Sequence, residues 1–230
     1  MSGGPGYRVR FDTVTVAGVD YRIRSLFDRQ QYHDPEGEAE RAGVSPASWP
    51  LFGQVWPSAR VLARAMHGYD VAGKRILEIG AGLALASLVI HGRDGDITAS
   101  DCHPLSAAFL QENLLLNHLP PMKYREGHWA RANPELGRFD LIIGSDVLYE
   151  PDHPEQMAGF IDRHSAATVE IVIVDPDRGN RSGFCRHMDH LGYALTERRA
   201  NPRLENGEAY RGRFLTFNRG PAPGPKPKAE

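Results

Sequence analysis

Glu78, Asp101, Asp146 and Tyr149, with the glycine turn Gly80-Ala81-Gly82, are the residues of this sequence whose types and spacing could do chemistry. Glu78 lies in the apolar run Arg75–Ile79, and the turn follows that run directly. Asp101 comes 21 residues after Gly80, and Asp146 and Tyr149 follow a second apolar run, Phe139–Gly144. A strand that ends in a glycine turn and feeds a helix is where α/β sheets hold nucleotide-like cofactors. The first glycine lets the chain turn, and the second lets backbone approach a ligand closely.

The type of cofactor depends on the residues around the turn. A dinucleotide fingerprint asks for a small residue at its sixth position, and here that position is Leu85. Glu78 at the strand end would repel a pyrophosphate, yet suits a ligand that carries an ammonium and a sulfonium. Asp101 accepts hydrogen bonds from a ribose diol in either case, so it does not separate the two. A purely structural strand–helix turn is the alternative for the whole motif.

The elements that must position these residues follow from periodicity. Tyr7–Ile23 alternates around Gly18 as a β-hairpin, and 28–48 is polar and turn-rich, a loop or lid. Pro57 starts a helix that runs to His67. Strands are then expected at 75–79, 96–100, 123–125, 139–144 and 169–174, with helices at 83–92, 104–118, 154–165 and 181–190. Two late strands, 192–197 and 211–218, have no helix between them and form an antiparallel pair at one edge. The fold class is therefore α/β, Rossmann-like, with a mostly parallel sheet, helices on both faces and an N-terminal hairpin/lid extension. Residues 1–48 form that extension, 49–219 the main domain, and 220–230 a Pro/Gly-rich disordered tail.

Composition narrows the class. The 230 residues, 41% hydrophobic, suffice for one α/β domain and are short for two. With 27 basic and 29 acidic side chains, the net charge of -2 gives no reason to expect nucleic acid or a membrane surface as partner. Cys102 and Cys185 make no disulfide framework and imply a reducing compartment. No signal peptide is visible, and the longest apolar block, Leu83–Ile90, is far below the roughly 20 residues of a bilayer span. The expectation is a cytoplasmic protein, monomeric by default. His153, Cys185 and His187 are too scattered for a zinc site, so no metal is expected.

The chain resembles the seven-strand S-adenosylmethionine-dependent methyltransferases, and within them the protein-lysine methyltransferase-like group called methyltransferase family 16. The resemblance covers most of 49–217 and rests on Val55-Trp-Pro-Ser-Ala59, Ile76-Leu-Glu-Ile-Gly-Ala-Gly82, Ala99-Ser-Asp101 and Phe139-Asp-Leu-Ile-Ile-Gly-Ser-Asp-Val-Leu-Tyr149. It implies a seven-stranded sheet of order 3-2-1-4-5-7-6 and S-adenosyl-L-methionine as cofactor. Glu78, Gly80, Ala81 and Gly82 would line the methionine part and Asp101 would hold the ribose. His103 would lie near the adenine, Trp129 beside it, and Trp56 against the cofactor. Family members usually carry a further glycine where this chain has Ala84.

Ser145, Asp146 and Tyr149 would then sit at the carboxyl end of their strand, within reach of a methyl acceptor. Asp146 suits an orienter of an amine, and Tyr149 a hydroxyl contact or an aromatic face for a cation. Asp146-Val-Leu-Tyr149 lacks the two prolines of the motif found in nucleobase and glutamine methyltransferases. The reading is transfer to a protein nitrogen, a lysine side chain, with the loop 28–48 and the hairpin covering the acceptor side. A small-molecule amine acceptor and a non-catalytic cofactor-binding module are the alternatives. Gln54 is a further candidate to orient a group. Asp177 and Arg178 either contact substrate or cap helix 181–190, and Asn113 and Asn117, four apart, serve catalysis or scaffold.

Overall fold

The run Arg75–Ile79 forms a strand, β3, in which Ile76 to Ile79 are all buried. Burial on both faces marks a central strand of a parallel sheet, where an apolar run need not alternate. The computed structural model describes residues 6–220, so the expected tail falls outside it from 221 onward and residues 1–5 do so as well.

Ahead of β3 come β1 (Val9–Val16), β2 (Val19–Leu26), a one-turn helix α1 (Glu38–Arg41) and α2 (Pro57–His67). After it come α3 (Leu85–His91), β4 (Asp96–Asp101), α4 (Ser106–Leu116), β5 (Lys123–Glu126) and β6 (Phe139–Ser145). The chain continues through α5 (His153–His164), β7 (Ser165–Asp175), α6 (Arg181–His190), β8 (Ala194–Arg199) and β9 (Arg213–Arg219). The seven-stranded sheet has the order β5-β4-β3-β6-β7-β9-β8. Counted from β3, this is 3-2-1-4-5-7-6. Strands β3 to β7 are parallel, and β9 runs antiparallel between β7 and β8.

Strand alternation sends Ile76, Ile97, Leu141 and Val172 to the face covered by α2, α3 and α4. Leu77, Ile142, Ile171 and Leu215 go to the face covered by α5 and α6. By the same period Glu78 shares a face with Ile76 and points toward α3. The order reverses between β3 and β6, so the ligand crevice of such a sheet opens at their carboxyl ends. Gly80–Gly82 and Asp146 stand on either side of it.

Several boundaries moved by a few residues, among them those of α3, α4, β7, β8 and β9. Helix α3 starts at Leu85, two residues later than expected, because Ala84 takes a left-handed conformation with φ 57°. That conformation favours glycine, the residue the family resemblance leads one to expect there. Strand β7 begins at Ser165 and so absorbs the end of the expected helix 154–165.

The hairpin docks on the helical layer. It turns through Ala17 and Gly18, both at positive φ, and packs Val14, Val16, Tyr21 and Ile23 into the core shared with α2 and α4. Its free edge is satisfied by a helix. Asn113 Oδ1 accepts from Arg24 N at 2.7 Å, and Asn117 Oδ1 accepts from Arg22 N at 2.8 Å. Each side-chain amide also donates back to the carbonyl of the same residue. Four residues of helix advance about 6 Å, close to the roughly 6.7 Å between alternate strand residues. The two asparagines thus imitate a neighbouring strand, and their role is in the scaffold.

Asn113 is fully buried, so Asn113→Ala strands the Arg24 N–H and should cost about 1–3 kcal/mol. In thermal melts the midpoint is expected to fall by about 2–10 °C, with a smaller fall for the half-exposed Asn117. Equal losses at both positions, or none at Asn113, would contradict this docking.

Candidate functional site

Glu78 is 2% exposed and tied to the first turn of α3: its Oε2 accepts from Ser87 N at 2.8 Å and from Ser87 Oγ at 2.5 Å. Burial pushes its carboxyl up to about 7, against the pull of the two Ser87 bonds. Ser87 is the hydroxyl in the otherwise apolar run Leu83–Ile90, a signal the sequence offered and the motif reading passed over.

Gly80 and Gly82 have φ of 55° and 54°. A Cβ on Gly82 would meet the Phe52 carbonyl oxygen at 2.8 Å, and one on Gly80 would meet Val147 at 2.8 Å and the Trp129 ring at 3.3 Å. Both positions therefore need glycine for conformation and for space. Ala81 N donates to the Ser100 carbonyl, which stitches the turn to β4.

Asp101 is also buried. Its Oδ2 accepts from Gly82 N at 2.7 Å and its Oδ1 from His103 N at 2.9 Å. Burial pushes this carboxyl up, while those N–H donors pull it down. A carboxylate has about four acceptor positions, so it can hold these donors and still meet a ligand hydroxyl. No ion pair reaches Glu78 or Asp101 among the described residues, although each is buried and their charges oppose one another. The pair fits a cationic ligand.

His103 is stacked on Phe52, with centroids 3.7 Å apart, and meets Trp49 edge-on. Its Nδ1 accepts from Leu105 N, and burial pushes it down to about 3, so it is neutral. His103 thereby joins the aromatic packing under the segment 49–52. Trp56 precedes α2; its indole N–H donates to the Leu51 carbonyl at 2.9 Å, and Arg29 lies over its ring. Gln54 donates to the Leu26 and Asp28 carbonyls and so anchors the end of the hairpin. Trp129 meets His153 edge-on, and His153 in turn meets Tyr149, giving one aromatic wall beside Gly80.

On the acceptor side, half-buried Ser145 ends β6 and Asp146 adopts φ 58°. The Asp146 carboxylate accepts from Arg178 Nε at 2.5 Å. Arg178 N donates to Asp175 Oδ1, whereas Asp177 is held by Arg213 Nε at 2.6 Å. Among the described residues no side chain caps α6, although the Arg178 carbonyl accepts from Arg181 N and Asp177 also pairs with the Arg181 side chain. Tyr149 is 40% exposed, in place of a core position, and Asn180 steadies its turn by donating to the Leu148 and Glu150 carbonyls.

The segment 28–48 is tied down at several points: Arg29 lies over the Trp56 ring, Tyr32 packs on Trp49, and the Arg41 carbonyl accepts from Arg131. In the turn after Asp146, Val147 and Leu148 are buried while Tyr149 and Glu150 are exposed.

A family model described as "Lysine methyltransferase" matches residues 50–190. The electron transfer flavoprotein beta subunit lysine methyltransferase of Rattus norvegicus is 28% identical over 162 residues, 69% of this chain and 62% of that enzyme. The chain thus spans less than two thirds of that relative's length. The histone-arginine methyltransferase METTL23 of Rattus norvegicus is 33% identical over 110 residues, 45% of this chain and 49% of that one. Among solved structures, a methyltransferase from Pyrococcus furiosus superposes with a TM-score of 0.56 at 16% identity, covering 73% of this chain and 88% of its own.

A cation bound against Glu78 favours the ionised carboxylate, so binding below about pH 7 must release a proton. Calorimetric titration with S-adenosylmethionine should show affinity falling roughly 10-fold from pH 8 to pH 6. In Glu78→Gln the profile should be flat. A wild-type affinity that does not change with pH would remove Glu78 from the cofactor's surroundings.

Proposed function

The chain belongs to the lysine methyltransferase family, and on that premise we propose that it transfers a methyl group from S-adenosylmethionine to a protein nitrogen, a lysine side chain. The observation that carries this reading is the pair of buried carboxylates, Glu78 and Asp101, without a cation at the mouth of a glycine cradle. Glu78 and Gly80–Gly82 would hold the aminoacyl part and the sulfonium, Asp101 the ribose, and Trp129 the adenine. Bound there, S-adenosylmethionine supplies a methyl carbon that an amine lone pair attacks as the C–S bond breaks and sulfur keeps the bonding pair.

The remaining work falls to the chain's own groups, chiefly positioning and exclusion of water. Neutralising a lysine at pH 7 costs about 4.6 kcal/mol, so the acceptor must be aimed and stripped of its proton. Asp146 accepts from the amine and fixes its direction, and Tyr149 offers its ring face to the methylated cation. The open turn at Tyr149 and exposed Glu150 suits a side chain presented by a protein better than a small amine needing an enclosed pocket. A net charge of -2 speaks for protein over nucleic acid as the partner. The two free thiols, Cys102 and Cys185, fit action in the cytoplasm.

The test is incubation with radiolabelled S-adenosylmethionine and fractionated lysate, followed by mass spectrometry. Label is expected on protein lysine. Asp146→Ala should cut transfer about 100-fold while cofactor binding persists, and Asp101→Ala should mainly weaken cofactor binding. Label confined to arginine, to RNA or to small molecules would defeat the lysine assignment.

A further inference from the structure

Two strand exits face each other across the acceptor side. Asp146 leaves β6 at φ 58°, and Asp177 leaves β7 at φ 63°. Non-glycine residues rarely take this conformation, and here both turns bring one ion pair together. Asp146 N donates to the Val174 carbonyl at 2.9 Å, which fixes the first turn. Arg178 N donates to Asp175 Oδ1 at 2.9 Å, and Arg213 clamps Asp177, which together fix the second.

Between them Arg178 Nε meets Asp146 Oδ1 at 2.5 Å, with the Asp146 side chain 8% exposed and that of Arg178 37% exposed. Asp146 Oδ2 accepts no hydrogen bond among the described residues and is the oxygen left for an acceptor. We propose that Arg178 is a positioning residue for methyl transfer: it fixes the angle of the Asp146 carboxylate and offsets its charge, so an acceptor ammonium beside it loses its proton readily to solvent water at the exposed turn of Tyr149 and Glu150. The inference rests on the lysine reading above.

The electrostatics give the reason. A lone carboxylate within about 4–6 Å of an ammonium favours the charged form, which has no lone pair to attack with. A guanidinium on the same carboxylate removes most of that bias and adds repulsion of its own. The groups facing Asp146 are Tyr149 from its own turn, Asp175 at the end of β7, Arg178 beyond it, and Tyr210 ahead of β9. Among them Arg178 is the cation. Asp175 is fully buried, its Oδ2 has no partner, and burial pushes it up to about 6. It therefore adds negative charge as pH rises, and Arg178 must offset that as well.

The experiment compares wild type, Arg178→Gln and Arg178→Lys in transfer of label to the lysate protein fraction that accepts it, from pH 7 to 9.5. Arg178→Gln should lower kcat about 10-fold at pH 7 and move the rising limb of its pH profile about one unit upward, so that activity recovers at high pH. Arg178→Lys should restore most of the pH 7 rate. Cofactor affinity by calorimetry should stay near wild type in both, while the thermal midpoint should fall in Arg178→Gln, which leaves Asp146 without its counter-ion, and less in Arg178→Lys. A loss equal at every pH, or a change in cofactor binding, would make the pair a plain structural tie and overturn the proposal. Wild type that labels no protein lysine would instead sink the acceptor reading, and it is measured first.

Discussion

Glu78 and Asp101 are carboxylates buried at adjacent strand ends and held by N–H and hydroxyl donors without a cation. Burying such charges is costly unless hydrogen bonds and counter-charge offset it. The fold supplies the hydrogen bonds. Asp101 accepts from Gly82 and so sets the glycine turn, while Glu78 accepts from Ser87 and so sets the start of α3. The missing counter-charge is left for a ligand. The local architecture of the cofactor half follows from this one arrangement.

The acceptor half is built by the opposite device. There the carboxylate of Asp146 has its counter-ion within the chain, in Arg178. On the proposed function this difference has a use: the uncompensated acids would draw the cofactor in, and the compensated acid would orient the acceptor without holding its proton.

Much of this was legible from the sequence. The run 75–79 and the glycine turn pointed to β3 and the switch point, because a short, mostly apolar run that ends in glycine suits a buried strand. The order of the sheet and the final antiparallel pair also came out as read. The docking of the hairpin edge was not legible, since period-2 alternation does not say what packs beside it. What decides it is the spacing of Asn113 and Asn117 on α4, which matches alternate residues of β2 only once the two are side by side. Ala84 hid the true start of α3, because its left-handed backbone leaves no mark on hydrophobic periodicity. Asp146 was visible as a candidate, but its partner lies 32 residues away, and a contact of that range has no local signature.

The central claim is that the cradle of Glu78, Gly80, Gly82 and Asp101 selects a cationic nucleoside over a dinucleotide. The most direct measurement is equilibrium binding at pH 8 of S-adenosylmethionine and of a nicotinamide dinucleotide to the full chain. One equivalent of S-adenosylmethionine should bind, undisplaced by excess dinucleotide. Tight dinucleotide binding with no uptake of S-adenosylmethionine would contradict it.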